Sequence, residues 1–212
     1  MQPPRGIPAY LLAMLGLFGW FALLSQFYLI IEGRVVPVPE TIIRYFSFFT
    51  ILTNLLVAVC ATVLLLKPGS AWGRFFARAT TGTAIAVYIV IVGVVYNTVL
   101  RFLWKPQGLQ YVVDELLHSV IPVLYFLCWV LFVPKSSLQY KHAFGWLIYP
   151  AVYLCWILIY GALSGYYPYP FVNVVDLGYE RVLINCAGLF LAFLGLSLFL
   201  ILLGKFLSRT KN

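Results

Sequence analysis

The chain has 212 residues, of which 63% are hydrophobic and 9% are charged, and its formal net charge is +8 at pH 7. A soluble domain of this size does not need so much apolar sequence, so the composition excludes a soluble enzyme and indicates an integral membrane protein. The excess of basic residues is explained by loops that face the cytoplasm, and no nucleic-acid partner is expected.

Six long apolar segments follow one another along the chain. A helix that crosses a bilayer needs roughly 20 mostly apolar residues, and continuous apolar runs favour helices over strands. The sequence therefore predicts an all-α polytopic membrane protein, a single six-helix transmembrane domain over 1–212. The predicted spans are about 8–31, 41–66, 81–104, 111–133, 144–163 and 181–204.

The basic residues predict the orientation of these spans. The side that holds both chain ends and the 2–3 and 4–5 loops carries nine Lys and Arg residues, and the other side carries five. This bias predicts that the N- and C-termini are cytoplasmic. The basic residues of the first side are Arg5, Lys67, Arg74, Arg78, Lys135, Lys141, Lys205, Arg209 and Lys211.

Metal and cofactor chemistry has little support in the sequence. All four cysteines (Cys60, Cys128, Cys155 and Cys186) fall inside predicted spans and are expected to be packing residues. One histidine within a span, even with nearby acids, is too few ligands for a zinc hydrolase. No Gly-rich phosphate loop is present, and no lysine lies in a span to bind retinal, so we expect no cofactor.

Polar residues are costly within a membrane, so those in the spans are candidate functional residues. They cluster in the halves of the spans that are predicted to face away from the cytoplasm. On a continuous span 2, Ser47, Thr50 and Asn54 would share one helical face, with Arg44 one turn outward of Ser47. The other members of the cluster are Asn97 and Arg101 in span 3 and Asp114 and His118 in span 4.

The combination of a hydroxyl and an imidazole indicates nucleophilic catalysis. Ser47 and His118 each lie six or seven residues inside their predicted span, which is roughly 10 Å at about 1.5 Å per residue. An imidazole at that level can accept the hydroxyl proton, and Asp114, one turn before His118, can orient the ring. The alternative is structural, since membrane serines often bond their own backbone and a buried histidine can serve packing alone.

Several short motifs resemble a known family. Residues 153–156 read Tyr-Leu-Cys-Trp and are followed by Gly165 and by Tyr-Pro-Phe at 169–171. Residues 44–48 read Arg-Tyr-Phe-Ser-Phe, and residues 117–122 read Leu-His-Ser-Val-Ile-Pro. The chain resembles the Pr6Pr group of bacterial six-span membrane proteins, which is related to the eukaryotic androgen-induced integral membrane proteins. This resemblance implies a bacterial inner membrane location. The bias of basic residues predicts that the polar site faces the extracytoplasmic side.

The resemblance also implies an activity. The eukaryotic relatives are intramembrane threonine hydrolases of fatty acid esters of hydroxy fatty acids, and they use a span-2 threonine and a span-4 histidine. Carried over to this chain, the nucleophile is Ser47 and the base is His118. Serine stands here where the relatives have threonine, and Thr50 lies one turn deeper, so the nucleophile is either Ser47 or Thr50.

The leading hypothesis from the sequence is therefore hydrolysis of a membrane lipid ester through a covalent acyl-enzyme. Asn54 or Asn97 would donate to the oxyanion, and Arg44 and Arg101 would bind a carboxylate or phosphate headgroup. The alternative is a lipid-binding or small-molecule transport protein without chemistry. Transporters usually carry inverted repeats or broken helices, and the sequence indicates neither.

Overall fold

The computed structural model describes residues 6–209, and within that range the chain forms helices and no β-strand. The predicted all-α fold is confirmed. The described segments that are long and apolar enough to cross a membrane are Ala9–Glu32, Phe49–Leu66, Ala79–Phe102, Gly108–Phe132, His142–Ser164 and Val174–Ser208. These six segments identify an integral membrane protein. The location of both chain ends on the cytoplasmic side stays a prediction. Of the basic residues behind it, Arg5, Lys211 and the side chain of Arg209 lie outside the described part.

Some spans consist of more than one helix. In chain order the helices are α1 (Ala9–Glu32), α2 (Val38–Phe46), α3 (Phe49–Leu66), α4 (Ala71–Phe76), α5 (Ala79–Thr98), α6 (Gly108–Glu115), α7 (Ile121–Phe132), α8 (His142–Trp146), α9 (Ile148–Ser164) and α10 (Val174–Arg209). α10 is kinked at Gly178, where φ is 72° and ψ is 161°. A π-helical segment, Leu116–Val120, joins α6 to α7. Short 3₁₀ turns at Leu100–Phe102 and Pro170–Val172 follow α5 and precede α10.

The prediction of one continuous second span over 41–66 is wrong, because the helix is interrupted at Ser47 and Phe48. Ser47 ends α2, and Phe48 has an extended backbone with φ −85° and ψ 123°. The carbonyl of Ser47 has left the helical ladder and accepts a hydrogen bond of 2.8 Å from the hydroxyl of Tyr153. The 18 residues of α3 span about 27 Å by themselves, so α3 alone crosses the bilayer. Ser47 and Thr50 therefore belong to different helices.

The fourth span is also irregular, and Pro122 explains part of the irregularity. A proline has no N–H, so it cannot bond to the carbonyl of His118 four residues earlier. That carbonyl instead accepts a hydrogen bond of 3.2 Å from Nδ2 of Asn97 on α5. The carbonyl of Leu117 accepts one of 3.1 Å from Nδ2 of Asn54 on α3. Two side-chain amides from neighbouring spans thus satisfy the carbonyls of the π-helical segment.

Close packing joins most of the spans, but α9 stands apart. α1 lies along α3, α5 packs against α7 and α3, and α10 packs on α5. The span that contains α9 has only 17% of its residues buried, the lowest share among the six. Tyrosine hydroxyls connect α9 to the bundle: Tyr153 contacts Ser47, and Tyr149 lies 3.5 Å from the hydroxyl of Thr53. The space left between α9 and its neighbours is part of the candidate site.

The close approach of α5 to the π-helical segment predicts an effect of Gly93→Leu. A Cβ at Gly93 would lie 3.1 Å from the carbonyl oxygen of His118 and 3.1 Å from Pro122. Overpacking of this kind typically costs about 1–3 kcal/mol, so we expect a lower melting temperature in detergent. Gly188→Leu is the control, because a Cβ there meets no atom within 4 Å. Equal melting temperatures for the two variants would contradict the close packing.

Candidate functional site

A polar cavity of about 280 Å³ lies at the end of the bundle that holds the 1–2, 3–4 and 5–6 loops. It brings together Thr50 from the start of α3, Asp114 from α6 and His118 from the π-helical segment. Its other lining residues are Gln26, Ile30, Tyr45, Phe48, Ile51, Tyr96, Leu100, Leu103, Trp104, Gln110, Leu117, Pro168, Tyr169 and Pro170. We call this space the polar cavity.

A second, apolar cavity of about 80 Å³ lies between α5, α9 and α10. Aliphatic and aromatic side chains such as Ile91, Ile157 and Phe193 form most of its wall. Thr50, Leu100 and Tyr169 belong to the walls of both cavities. Thr50 therefore lies at the boundary between a polar and an apolar space.

His118 is held in one tautomer by Asp114. Its Nδ1 lies 2.9 Å from the main-chain carbonyl oxygen of Asp114 and 3.3 Å from Oδ1 of the same residue. A carbonyl oxygen only accepts, so Nδ1 carries the proton and Nε2 has the free lone pair. The ring of Tyr96 stacks on the imidazole with ring centroids 3.9 Å apart and an interplanar angle of 13°. The geometry leaves Nε2 able to act as a base.

The carboxylate of Asp114 is buried and fully engaged. Only 4% of the residue is exposed. One oxygen faces Nδ1 of His118, and the other accepts a short hydrogen bond from the hydroxyl of Tyr96. A buried carboxylate is tolerated only with such partners. Tyr96 therefore supports the histidine twice, by stacking on its ring and by holding the acid that orients it.

Thr50 lies in the first turn of α3, where main-chain N–H groups have no helical partner. Its N–H donates to the hydroxyl of Tyr169 at 3.3 Å, and its Oγ1 lies 3.4 Å from the same phenol oxygen. Among the described residues, no hydrogen bond joins the side chains of Thr50 and His118. Their shared feature is the polar cavity, so a proton would pass between them through water or through a bound substrate.

The structure separates Ser47 from His118. Ser47 is fully buried, and its Oγ donates a 2.8 Å hydrogen bond to the carbonyl of Ile43, one turn earlier. This is the usual bond of a helical serine to its own backbone. In the described part of the chain, Ser47 lines neither cavity. Its hydroxyl is engaged away from the imidazole.

Asn54 and Asn97 use their amide hydrogens within the protein. Nδ2 of Asn54 donates to the carbonyls of Thr50 at 2.9 Å and Leu117 at 3.1 Å. Nδ2 of Asn97 donates to Gly93 at 2.8 Å and to His118 at 3.2 Å. Because every partner is a carbonyl, the amide orientation is fixed, and both hydrogens of each amide are engaged. The hypothesis that either residue donates to an oxyanion has no support in this geometry.

Arg44 and Arg101 each have an acidic partner. Nε of Arg44 donates to Glu40 at 3.0 Å. Arg101 forms a short ion pair with Glu115 and donates to the hydroxyl of Ser119 at 3.2 Å. Both arginines lie outside the lining of the two cavities as the described residues define it.

Sequence reasoning missed the importance of Tyr169. It appeared only as part of the Tyr-Pro-Phe motif, and Pro168 and Pro170, which flank it, were the available signal of a fixed position. Burial raises the pKa of the Tyr169 phenol, and hydrogen bonds with Thr50 oppose that shift. The phenol is therefore neutral and can donate its proton in a hydrogen bond.

In the range 6–209, no cluster of three or more His, Cys, Asp or Glu residues could hold a metal ion. No family model, curated protein or solved structure matches the chain. The functional argument therefore depends on the geometry of the site.

The hydrogen bonds from the Asn97 amide to main-chain carbonyls predict that Asn97 stabilises the fold. Asn97→Leu leaves the carbonyl of His118 without its partner, and an unpaired buried polar group costs about 1–3 kcal/mol. We expect a lower melting temperature than for Thr98→Val, a control on the same helix whose hydroxyl bonds only its own backbone at an exposed position. A variant of normal stability would contradict this role.

Proposed function

We propose that this protein is an integral membrane hydrolase that cleaves an ester of a membrane lipid, with Thr50 as nucleophile and His118 as general base. One observation carries the proposal: Thr50 lines two adjoining cavities, and the wall of one of them also contains an oriented histidine. The family resemblance supports the same class of reaction. The geometry favours Thr50 over Ser47 as its nucleophile.

The reaction proceeds in two steps. Oγ1 of Thr50 attacks the ester carbonyl carbon while Nε2 of His118 takes the hydroxyl proton through a water in the polar cavity. The tetrahedral intermediate collapses, the bond to the leaving oxygen breaks, and His118 returns the proton to the departing alcohol. Water then attacks the acyl-threonine with His118 again as base, which releases the fatty acid. Asp114 keeps Nδ1 protonated and stabilises the imidazolium.

Tyr169 is the best candidate to stabilise the oxyanion. Its oxygen accepts the N–H of Thr50 and lies 3.4 Å from Oγ1, so its own hydrogen can be directed to an oxygen bound beside Oγ1. Hydrogen bonds in such a chain strengthen one another. This role replaces the one that the sequence suggested for Asn54 and Asn97.

The apolar cavity provides a place for the acyl chain. Its wall holds residues such as Val92, Leu189 and Phe190, which offer no polar group to a hydrocarbon. An acyl chain that begins at Thr50 would enter this space, and the leaving alcohol would occupy the polar cavity. The bias of basic residues supports an inner membrane orientation with the polar cavity toward the extracytoplasmic side.

Lipid or small-molecule transport is the second candidate, and one observation favours it. The break at Ser47 and Phe48 gives span 2 the discontinuous form found at transporter binding sites, with the start of α3 at the polar cavity. Transport would show as movement of a labelled solute or lipid across liposomes, without an acyl-enzyme. Such movement by Thr50→Ala protein at the wild-type rate would favour this second function.

Substitution of the two hydroxyl residues tests the nucleophile. We expect Thr50→Ala to lose covalent labelling by a fluorophosphonate probe and to lower ester hydrolysis by about 10³-fold or more. His118→Ala is expected to do the same, since the hydroxyl then lacks its base. Mass spectrometry of the adduct and a rate assay on ester lipids in non-ionic detergent are the measurements.

Ser47→Ala is the matched control, because it removes a hydroxyl that bonds only Ile43. We expect it to keep labelling and hydrolysis within about threefold of wild type, since Ser47 lines neither cavity as the described residues define them and makes no contact with Thr50 or His118 that a substrate would use. Thr50→Ser should keep the adduct, now on the serine. An adduct mapped to Ser47 would overturn the assignment of Thr50.

Tyr169→Phe tests the oxyanion donor. The variant keeps the ring, which packs edge-on against Phe48 and stacks on Phe171, but loses the hydroxyl. Loss of one oxyanion donor typically lowers kcat by about 10²–10³-fold, and we expect KM to change little. An unchanged kcat with a higher KM would show that Tyr169 only shapes the cavity.

A further inference from the structure

The described lining residues of the polar cavity include no lysine and no arginine, although the chain carries a net charge of +8. The ionisable carboxylate in its wall is that of Asp114, which already accepts bonds from Tyr96 and His118. The space that would receive the leaving alcohol is therefore neutral to weakly negative. An anionic group placed there would have no counter-charge in the wall.

Arg44 and Arg101, the two arginines that the sequence-based hypothesis assigns to a headgroup, are both engaged in ion pairs. Arg44 is paired with Glu40, and its guanidinium lies 4.3 Å from the ring centre of Tyr166. Arg101 is paired with Glu115, and its guanidinium lies over the ring of Tyr96, 5.4 Å from the ring centre. A carboxylate or phosphate in the cavity would have to compete with Glu40 or Glu115 for these two arginines.

Two glutamines in the wall, Gln26 and Gln110, provide uncharged hydrogen-bonding groups. Nε2 of Gln110 donates to Oε1 of Gln26 at 2.8 Å, which links α6 to α1 across the cavity wall. Whichever amide donates, the pair keeps further donors and acceptors. Alcohol hydroxyls both donate and accept, so a glutamine pair suits them well, whereas an anion needs donors alone.

We infer that the leaving part of the substrate is uncharged and bears hydroxyl groups, as the glycerol of a monoacylglycerol does. This inference rests on the proposed hydrolase function. It departs from the sequence-based hypothesis that Arg44 and Arg101 bind a carboxylate or phosphate headgroup. A second negative charge beside Asp114 would meet both repulsion and the loss of hydration, which together select against anionic esters.

The test compares matched lipids that differ in one charge. Purified wild-type protein in non-ionic detergent is given a monoacylglycerol and its phosphorylated counterpart of the same chain length. It is also given a fatty acid ester of a hydroxy fatty acid as the methyl ester and as the free acid. We expect kcat/KM to be at least about tenfold higher for the neutral member of each pair, because juxtaposed like charges cost several kcal/mol.

Gln110→Lys introduces a cation into the wall and should narrow or reverse the preference in each pair. Gln139→Lys is the control, since Gln139 is exposed and does not line the polar cavity as described. If both variants reversed the substrate preference, the cause would be the added positive charge itself and not its position in the cavity wall. Gln110→Lys protein that kept the wild-type preference would contradict the inference.

The outcomes separate the inference from the function on which it rests. Thr50-dependent hydrolysis that is equal for both members of each pair, or faster for the anionic ones, overturns the inference and leaves the hydrolase standing. If no ester is cleaved, the hydrolase proposal fails. The preference of the polar cavity for an uncharged headgroup is then tested by lipid binding. The neutral lipid should then raise the melting temperature more than its anionic partner, and the opposite order would overturn the inference.

Discussion

The structure depends on one constraint: in a bilayer, every main-chain polar group needs a partner within the protein. Two breaks in the helical ladder lie beside the polar cavity, one in span 2 at Ser47 and Phe48 and one in span 4 over Leu116–Val120. The carbonyls that these breaks release are satisfied by Tyr153, Asn54 and Asn97. The polar side chains at this end of the bundle are thus largely required by the irregular backbone.

The same constraint determines which polar residues remain for chemistry. The predicted cluster of functional groups divides into two sets. In the first set, the hydroxyl hydrogen of Ser47 and the amide hydrogens of Asn54 and Asn97 are donated to main-chain carbonyls. Thr50 and His118 form the second set, because each keeps a reactive atom at the polar cavity. The broken helix is also what puts Thr50 in the first turn of α3, where its N–H can hold Tyr169.

The sequence predicts features that depend on neighbouring residues better than it predicts contacts between residues far apart in the chain. Six spans follow from the length and apolarity of each run, and the four-residue spacing of Asp114 and His118 brings them together on one helical turn. The break in span 2 could not be predicted, since neither Gly nor Pro stands at 47 or 48. The partner that stabilises it, Tyr153, lies 106 residues away in the chain. For this reason helical periodicity puts Ser47 on the same face as Thr50, whereas the structure directs its hydroxyl to the carbonyl of Ile43.

The ion pairs at the site also include one that short sequence spacing predicts and one that it does not. The pair of Arg44 and Glu40 follows from a spacing of four residues, whereas that of Arg101 and Glu115 joins two spans. Because Arg101 is paired with Glu115, the carboxylate of the adjacent Asp114 contacts only His118 and Tyr96 among the side chains of the described chain. An arginine bound to Asp114 would compete with Nδ1 of His118 for the carboxylate and weaken its orientation. The ion pair with Glu115 therefore holds Arg101 away from Asp114, and the carboxylate of Asp114 stays free to orient His118.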